Sequence, residues 1–159
     1  MRIYTDASTK DSLSGIAFVA TTNNDKEICK SGLVIRQSDN NTAELTAILF
    51  ALKNIQKIDK KAKHITILTD STYAINAIRG NFYRQNEEKL MEQIFQALEK
   101  YNISFFHVKG HCQDGTILSY FNKRADKMAK VVRKQHEKEI KMLKKKRVQY
   151  LRGIKTKEY

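Results

Sequence analysis

The sequence predicts a mixed α/β fold, a five-stranded sheet in the order βββαβααβα with helices on both faces. Three observations carry that prediction. Residues 2–35 hold three β-prone runs separated by polar breaks. Near Asn41 the apolar period changes to spacings of three and four, the signature of an amphipathic helix. Two later β-prone runs, 65–69 and 103–108, alternate with helical patterns, which places helices against a sheet. At 159 residues and 41% hydrophobic content, the chain can build one sizeable core and has no room for a second full domain.

Taken in order, the first strand runs from Arg2 to Asp6 and ends in a lone acid after Ile3-Tyr4-Thr5. The next two span 15–22 and 27–35, separated by the turn chemistry of 9–14 and Asn23-Asn24-Asp25-Lys26. The first helix places Leu45, Ile48, Leu49, Leu52, Ile55 and Ile58 on one face, with Asn41 or Thr42 as its N-cap and Glu44 in its first turn. A Lys-rich break at 59–63 leads to the strand 65–69, which ends in Asp70. A short helix capped by Ser71 or Asp70 then stops at Gly80. A further helix is expected over 87–100, a strand over 103–108, and a last helix from about Asn122 with Asp126 in its first turn.

Charge is distributed unevenly. The formal net charge is +13, and residues 127–159, with thirteen Lys/Arg against three Asp/Glu, carry +10 of it. The body is nearly neutral and the end is a cation, which favours a polyanionic partner. Residues 1–132 therefore read as the folded domain and 133–159 as a basic helical extension. Cys29 and Cys112 are too few for a disulfide framework or a Cys-based zinc site and read as reduced, packing thiols. There is no apolar run of the ~20 residues that cross a bilayer. The N-terminus opens into a strand pattern without a signal-peptide core, so the expected location is the cytoplasm.

Four acids stand at expected element boundaries: Asp6, Glu44, Asp70 and Asp126. Parallel first and fourth strands would end at the same sheet edge and bring them together. Carboxylates at one spot repel unless a cation lies among them, and an all-oxygen set suits Mg²⁺ or Mn²⁺. Two such ions can activate water on one side of a phosphate and stabilise the leaving oxyanion on the other. His111, on a glycine-flanked loop after a strand, adds a group that titrates near neutrality. Taken singly, Glu44 also reads as a capping-box acid and His111 as a surface histidine.

Five segments in order, Tyr4-Thr5-Asp6-Ala7-Ser8, Asn41-Thr42-Ala43-Glu44-Leu45, Leu68-Thr69-Asp70-Ser71-Thr72-Tyr73, Val108-Lys109-Gly110-His111 and Asn122-Lys123-Arg124-Ala125-Asp126, resemble type 1 ribonuclease H over residues 1–132. The resemblance implies an RNase H-like fold and endonucleolytic hydrolysis of the RNA strand of an RNA–DNA hybrid, leaving 5′-phosphate ends. It implies two Mg²⁺ per site, with Mn²⁺ able to substitute, held by Asp6, Glu44, Asp70 and Asp126, and a mobile histidine at His111. Asn40 and Asn41 match polar residues that read the minor groove and the ribose 2′-OH, or serve as cap and turn residues. Phe82 and Tyr83 match aromatics set against the DNA strand, or pack under the short helix. A monomer without an obligate protein partner is expected.

Four departures qualify the resemblance. The first loop, 7–14, lacks the usual Gly/Pro-rich sequence. The interval from Asp70 to His111 has no room for a basic protrusion, so hybrid affinity must come from elsewhere, and Lys144-Lys145-Lys146-Arg147 is the candidate. The loop 112–121 is long and holds Ile117, Leu118, Tyr120 and Phe121. Asp39 stands where a hydroxyl or basic group near a DNA phosphate is expected. Rival readings are a non-catalytic nucleic-acid-binding domain on this fold, and a structure-specific or retroelement nuclease domain. A membrane-binding tail is disfavoured by its lack of Trp, Phe and dense Leu.

Overall fold

The computed structural model describes residues 1–80, 82–110 and 114–155, with side chains placed as far as Leu151. Its strands are β1 (Arg2–Lys10), β2 (Leu13–Thr21), β3 (Glu27–Arg36), β4 (His64–Thr69) and β5 (Asn102–His107). Its helices are α1 (Asn40–Ile58), α2 (Thr72–Ile78), α3 (Glu88–Leu98) and α4 (Ile117–Lys155), with a 3₁₀ turn over Gln85–Glu87. The predicted element order holds, and the sheet runs β3-β2-β1-β4-β5. β1, β2 and β3 form antiparallel pairs, whereas β4 lies parallel to both β1 and β5.

The alternation of β1 sends its side chains to two cores. Ile3 packs with Phe18, Leu45, Ile48, Ile55, Ile67, Met91 and Ile94 under α1 and α3. Tyr4 packs with Val19, Leu68, Val108, Phe121 and Ala125 under α4. Phe121, Ala125 and Ala129, one turn apart, form the buried stripe of α4. Helix and sheet approach so closely there that a Cβ on Gly15 would stand 2.0 Å from the Ala129 carbonyl oxygen. Arg133, also buried, donates through Nε to Ser8 Oγ at 3.2 Å and pairs with Glu137. Beyond Ile140 the helix leaves the body, and every residue from Lys141 to Leu151 is exposed.

Several expected boundaries move. β1 continues past Asp6 to Lys10, so Asp6 lies mid-strand. The cause is the β2 partner: the two strands pair through to Lys10↔Leu13, with a two-residue turn whose Asp11 has φ of 54°. The segment 7–14 is thus mostly hairpin strand rather than loop. α1 begins two residues early because Asp39 caps it, accepting from the Thr42 amide at 2.9 Å. Glu44 therefore lies beyond the first turn and is no capping acid. α4 begins at Ile117, because Phe121 packs on Tyr4 with ring centroids 5.3 Å apart and draws the end of the expected loop into helix. Asp126 consequently lies in the third turn of α4, not the first.

Candidate active site

Pairing between β1 and β4 ends at Tyr4↔Leu68, so the two strands diverge just before Asp6 and Asp70. The opening is covered by the N-terminal part of α1, which carries Glu44. Ser71, not Asp70, caps α2 by accepting from the Ala74 amide at 3.1 Å, which leaves the Asp70 carboxylate free of capping. Asp6, Glu44 and Asp70 each offer a carboxylate oxygen within 4.8 Å of the others'.

Asp6 and Glu44 are buried, at 5% and 4% exposure, and Asp70 is half-buried. Burial pushes the Asp6 carboxyl well above its ordinary range, and the charges of Asp70 and Asp126 push it further. Glu44 is raised by burial and then by Asp6 and Asp70. The Ala7 amide donates to Asp6 Oδ1 and Glu44 Oε1, but Glu44 Oε2 is buried with no hydrogen-bond donor. A buried carboxylate oxygen without a donor, on a side chain gathered with two further carboxylates, fits a hard divalent cation. Asp126 senses the group electrostatically but is not within it: both of its oxygens lie 2.7 Å from Lys130 Nζ.

An open groove of ≈ 410 Å³ lies elsewhere, by β3; the one beside the acids is ≈ 380 Å³ and is lined by Asn40, Asn41, Glu44, Asp70, Tyr73 and Gly110. Asn40 and Asn41 occupy the first turn of α1 and do not cap it. A Cβ on Gly110 would come within 2.6 Å of Asp70 Oδ2, so only glycine leaves that carboxylate its position. Phe82 is 67% exposed and Tyr83 37%, so the Phe82 ring is largely open to solvent and the Tyr83 ring partly covered. Lys144, Lys145, Lys146 and Arg147 lie on the free part of α4. His111 and Cys112 lie outside the described residues.

The sequence profile of RNase H matches residues 1–134, the whole of the sheet and the body-facing half of α4. The chain belongs to the RNase H family. A ribonuclease H of Caldicellulosiruptor saccharolyticus is 33% identical over 89 residues, covering 47% of this chain and 59% of that protein. Among solved structures, LC11-RNase H1 in complex with an RNA/DNA hybrid superposes with a TM-score of 0.73 at 20% identity, over 85% of this chain and 97% of that one. The prototype foamy virus protease–reverse transcriptase gives a TM-score of 0.68 at 24% identity, over 82% of this chain and 20% of that one. At these identities the two structures show a shared fold.

Within this RNase H fold, several residues around the groove carry no motif of their own. Glu87 is fully buried and accepts from Thr42 Oγ1 at 2.7 Å, the Arg84 amide at 3.1 Å and the Tyr73 hydroxyl. Arg84 in turn pairs with Asp39 at 2.8 Å and lies over the Tyr73 ring. Its hydrogen bond, followed by that of the Thr42 amide, holds Asp39 below the ordinary carboxylate range. The unexpected acid at position 39 is therefore a helix cap with a resident cation. This knot clamps α1 to α2, the helices nearest Glu44 and Asp70. Asn122, buried, donates to Asp70 Oδ2 at 3.4 Å, and a His107 ring nitrogen lies 3.2 Å from the Asp70 carbonyl oxygen.

No helix among the described residues is long and apolar enough to cross a membrane.

Proposed function

We propose that this chain hydrolyses the RNA strand of RNA–DNA hybrids endonucleolytically, leaving 5′-phosphate ends. The observation that carries the proposal is the convergence of Asp6, Glu44 and Asp70 at the edge of an RNase H-family sheet, with the Asp6 and Glu44 carboxyls raised in pKa by burial and Glu44 holding an orphaned oxygen. Asp6, Glu44, Asp70 and Asp126 would hold two divalent ions, Mg²⁺ or in its place Mn²⁺. When bound, such ions supply an activated water and charge stabilisation of the leaving oxygen. The carboxylates orient that site, Asp6 from the rigid centre of a paired strand. His111 is assigned proton transfer or product release.

Asn40 and Asn41 line the groove next to Glu44, which supports their contacting bases and ribose of a duplex. Phe82 and Tyr83 offer exposed rings to the DNA strand, and Lys144, Lys145, Lys146 and Arg147 offer a phosphate-binding arm. Residues 1–132 act as the catalytic domain and 133–159 as its basic extension, in a cytoplasmic monomer.

A pure binding surface is the weaker reading, because clustered carboxylates without a cation repel phosphate. Cleavage of end-labelled RNA–DNA hybrid, double-stranded RNA and double-stranded DNA in Mg²⁺ tests the proposal. Cutting of hybrid RNA alone, lost in Asp70→Asn, is expected; equal cutting by that variant would remove Asp70 from the site.

A further inference from the structure

The fourth acid is held by a lysine. Lys130 Nζ sits 2.7 Å from Asp126 Oδ1 and 2.7 Å from Oδ2, seated across the whole carboxylate. The pair lies one turn apart on α4 with the acid toward the N-terminus, the favourable orientation for such a pair. The Asp126 side chain is 19% exposed and that of Lys130 43%, so the acid is held against the body while the lysine can swing into solvent. The ammonium also lies close enough to Asp6 to oppose the rise in its pKa. Lys130 thus acts electrostatically on Asp6 as well as on Asp126.

We infer that Lys130 is a resident counter-ion of the site, occupying Asp126 in the cation-free protein and competing there with the second divalent ion. The inference rests on the reading of Asp126 as a metal ligand. A carboxylate whose two oxygens both face an ammonium cannot accept a divalent ion on the same lone pairs until the ammonium leaves. Asp6, Glu44 and Asp70 have no such cation on them among the described residues. One ion therefore binds unopposed and the second binds against the lysine. Lys130 acts as a positioning residue: it sets when the second ion enters and has no part in bond cleavage.

Calorimetric titration of the full chain with Mn²⁺ tests this. Lys130→Gln should tighten the weaker binding step about fivefold, the size of a partly exposed carboxylate–ammonium pair, and leave the tighter step unchanged. Lys130→Arg, which keeps the cation, should behave as wild type. Asp126→Asn should weaken the second step, and adding Lys130→Gln to it should bring no tightening. Unchanged second-step affinity in Lys130→Gln would overturn the inference. The same tightening in the Asp126→Asn background would also overturn it, as a diffuse loss of positive charge. An Asp126→Asn protein that binds both ions like wild type would fail differently, by removing Asp126 itself from the site.

Discussion

Asp6 and Glu44 lean on one backbone donor: the Ala7 amide reaches Asp6 Oδ1 at 2.7 Å and Glu44 Oε1 at 3.3 Å. One N–H shared by two buried carboxylates stabilises a single negative charge better than two. The cation-free site is therefore strained electrostatically. Asp6→Asn should relieve that strain by ~1 kcal/mol, raising Tm by about 2–4 °C without divalent ions. The same variant should lose hybrid cleavage at least a thousandfold, to ~0.1% or less of wild type, because each 1.4 kcal/mol of lost transition-state stabilisation is tenfold. Paired melting and cleavage measurements check this; a fall in Tm would contradict the strain.

The pH dependence has a definite sign. Asp6 and Glu44 titrate higher in the folded chain than at their ordinary values of 3.8 and 4.5, so the folded state binds more protons. Their contribution to stability is fully present below those ordinary values and is lost as pH rises through the raised folded ones. A divalent ion replaces the missing protons. Mg²⁺ should raise Tm more at about pH 8 than at about pH 5, where it competes with protons. Scanning calorimetry at both pH values reads this directly, and equal shifts would mean that the two acids do not bind the ion.

Glu87 is a stability residue with a functional consequence. Its buried carboxylate collects hydroxyls from α1 and α2 and the Arg84 amide. Glu87→Ala leaves those donors unpaired and should cost about 3 kcal/mol, read as a lower denaturation midpoint. Tyr73→Phe, which removes one donor, should cost about 1 kcal/mol. Below its melting temperature, the Glu87→Ala protein should also bind Mn²⁺ more weakly, since α1 and α2 lose the clamp beside Glu44 and Asp70.

The basic arm is separable from the body. Arg133 is anchored to Ser8 and Glu137, whereas the described side chains after Ile140 are exposed. Removing residues 141–159, which carry eight Lys/Arg, should leave Tm nearly unchanged and weaken hybrid binding. The log–log dependence of affinity on salt should flatten by roughly 2–4, at ~0.7–0.9 per lost phosphate contact. Saturated turnover should fall less than affinity. Equal salt slopes with and without the arm would mean that it does not touch the phosphates.

Local signals carried much of the architecture. The period change at Asn41 marks α1, and the β-prone runs before Asp6 and Asp70 mark β1 and β4, because each pattern is written within a few neighbouring residues. Boundaries were less legible where a distant partner sets them. β2 extends β1 past Asp6, and Tyr4 draws Phe121 into α4. The site shows the same division. Asp6, Glu44 and Asp70 stand out as acids after or among apolar residues, while Glu87 looks in sequence like any surface glutamate before a helix. Its partner Thr42 lies 45 residues away, too far for any periodicity to report.

The sequence by itself determined the order of elements and the cationic end, and it picked out the three acids that cluster together with a fourth that does not, since these follow from residue type and short-range spacing. Tertiary structure alone decided that Asp6 lies within a strand, that Asp39 is matched by Arg84, and that Asp126 faces Lys130 while three other carboxylates converge without it. The physical reason is that hydrophobic periodicity specifies which face of an element is buried, whereas a charge is placed by whatever opposite charge the folded chain brings within a few ångströms of it.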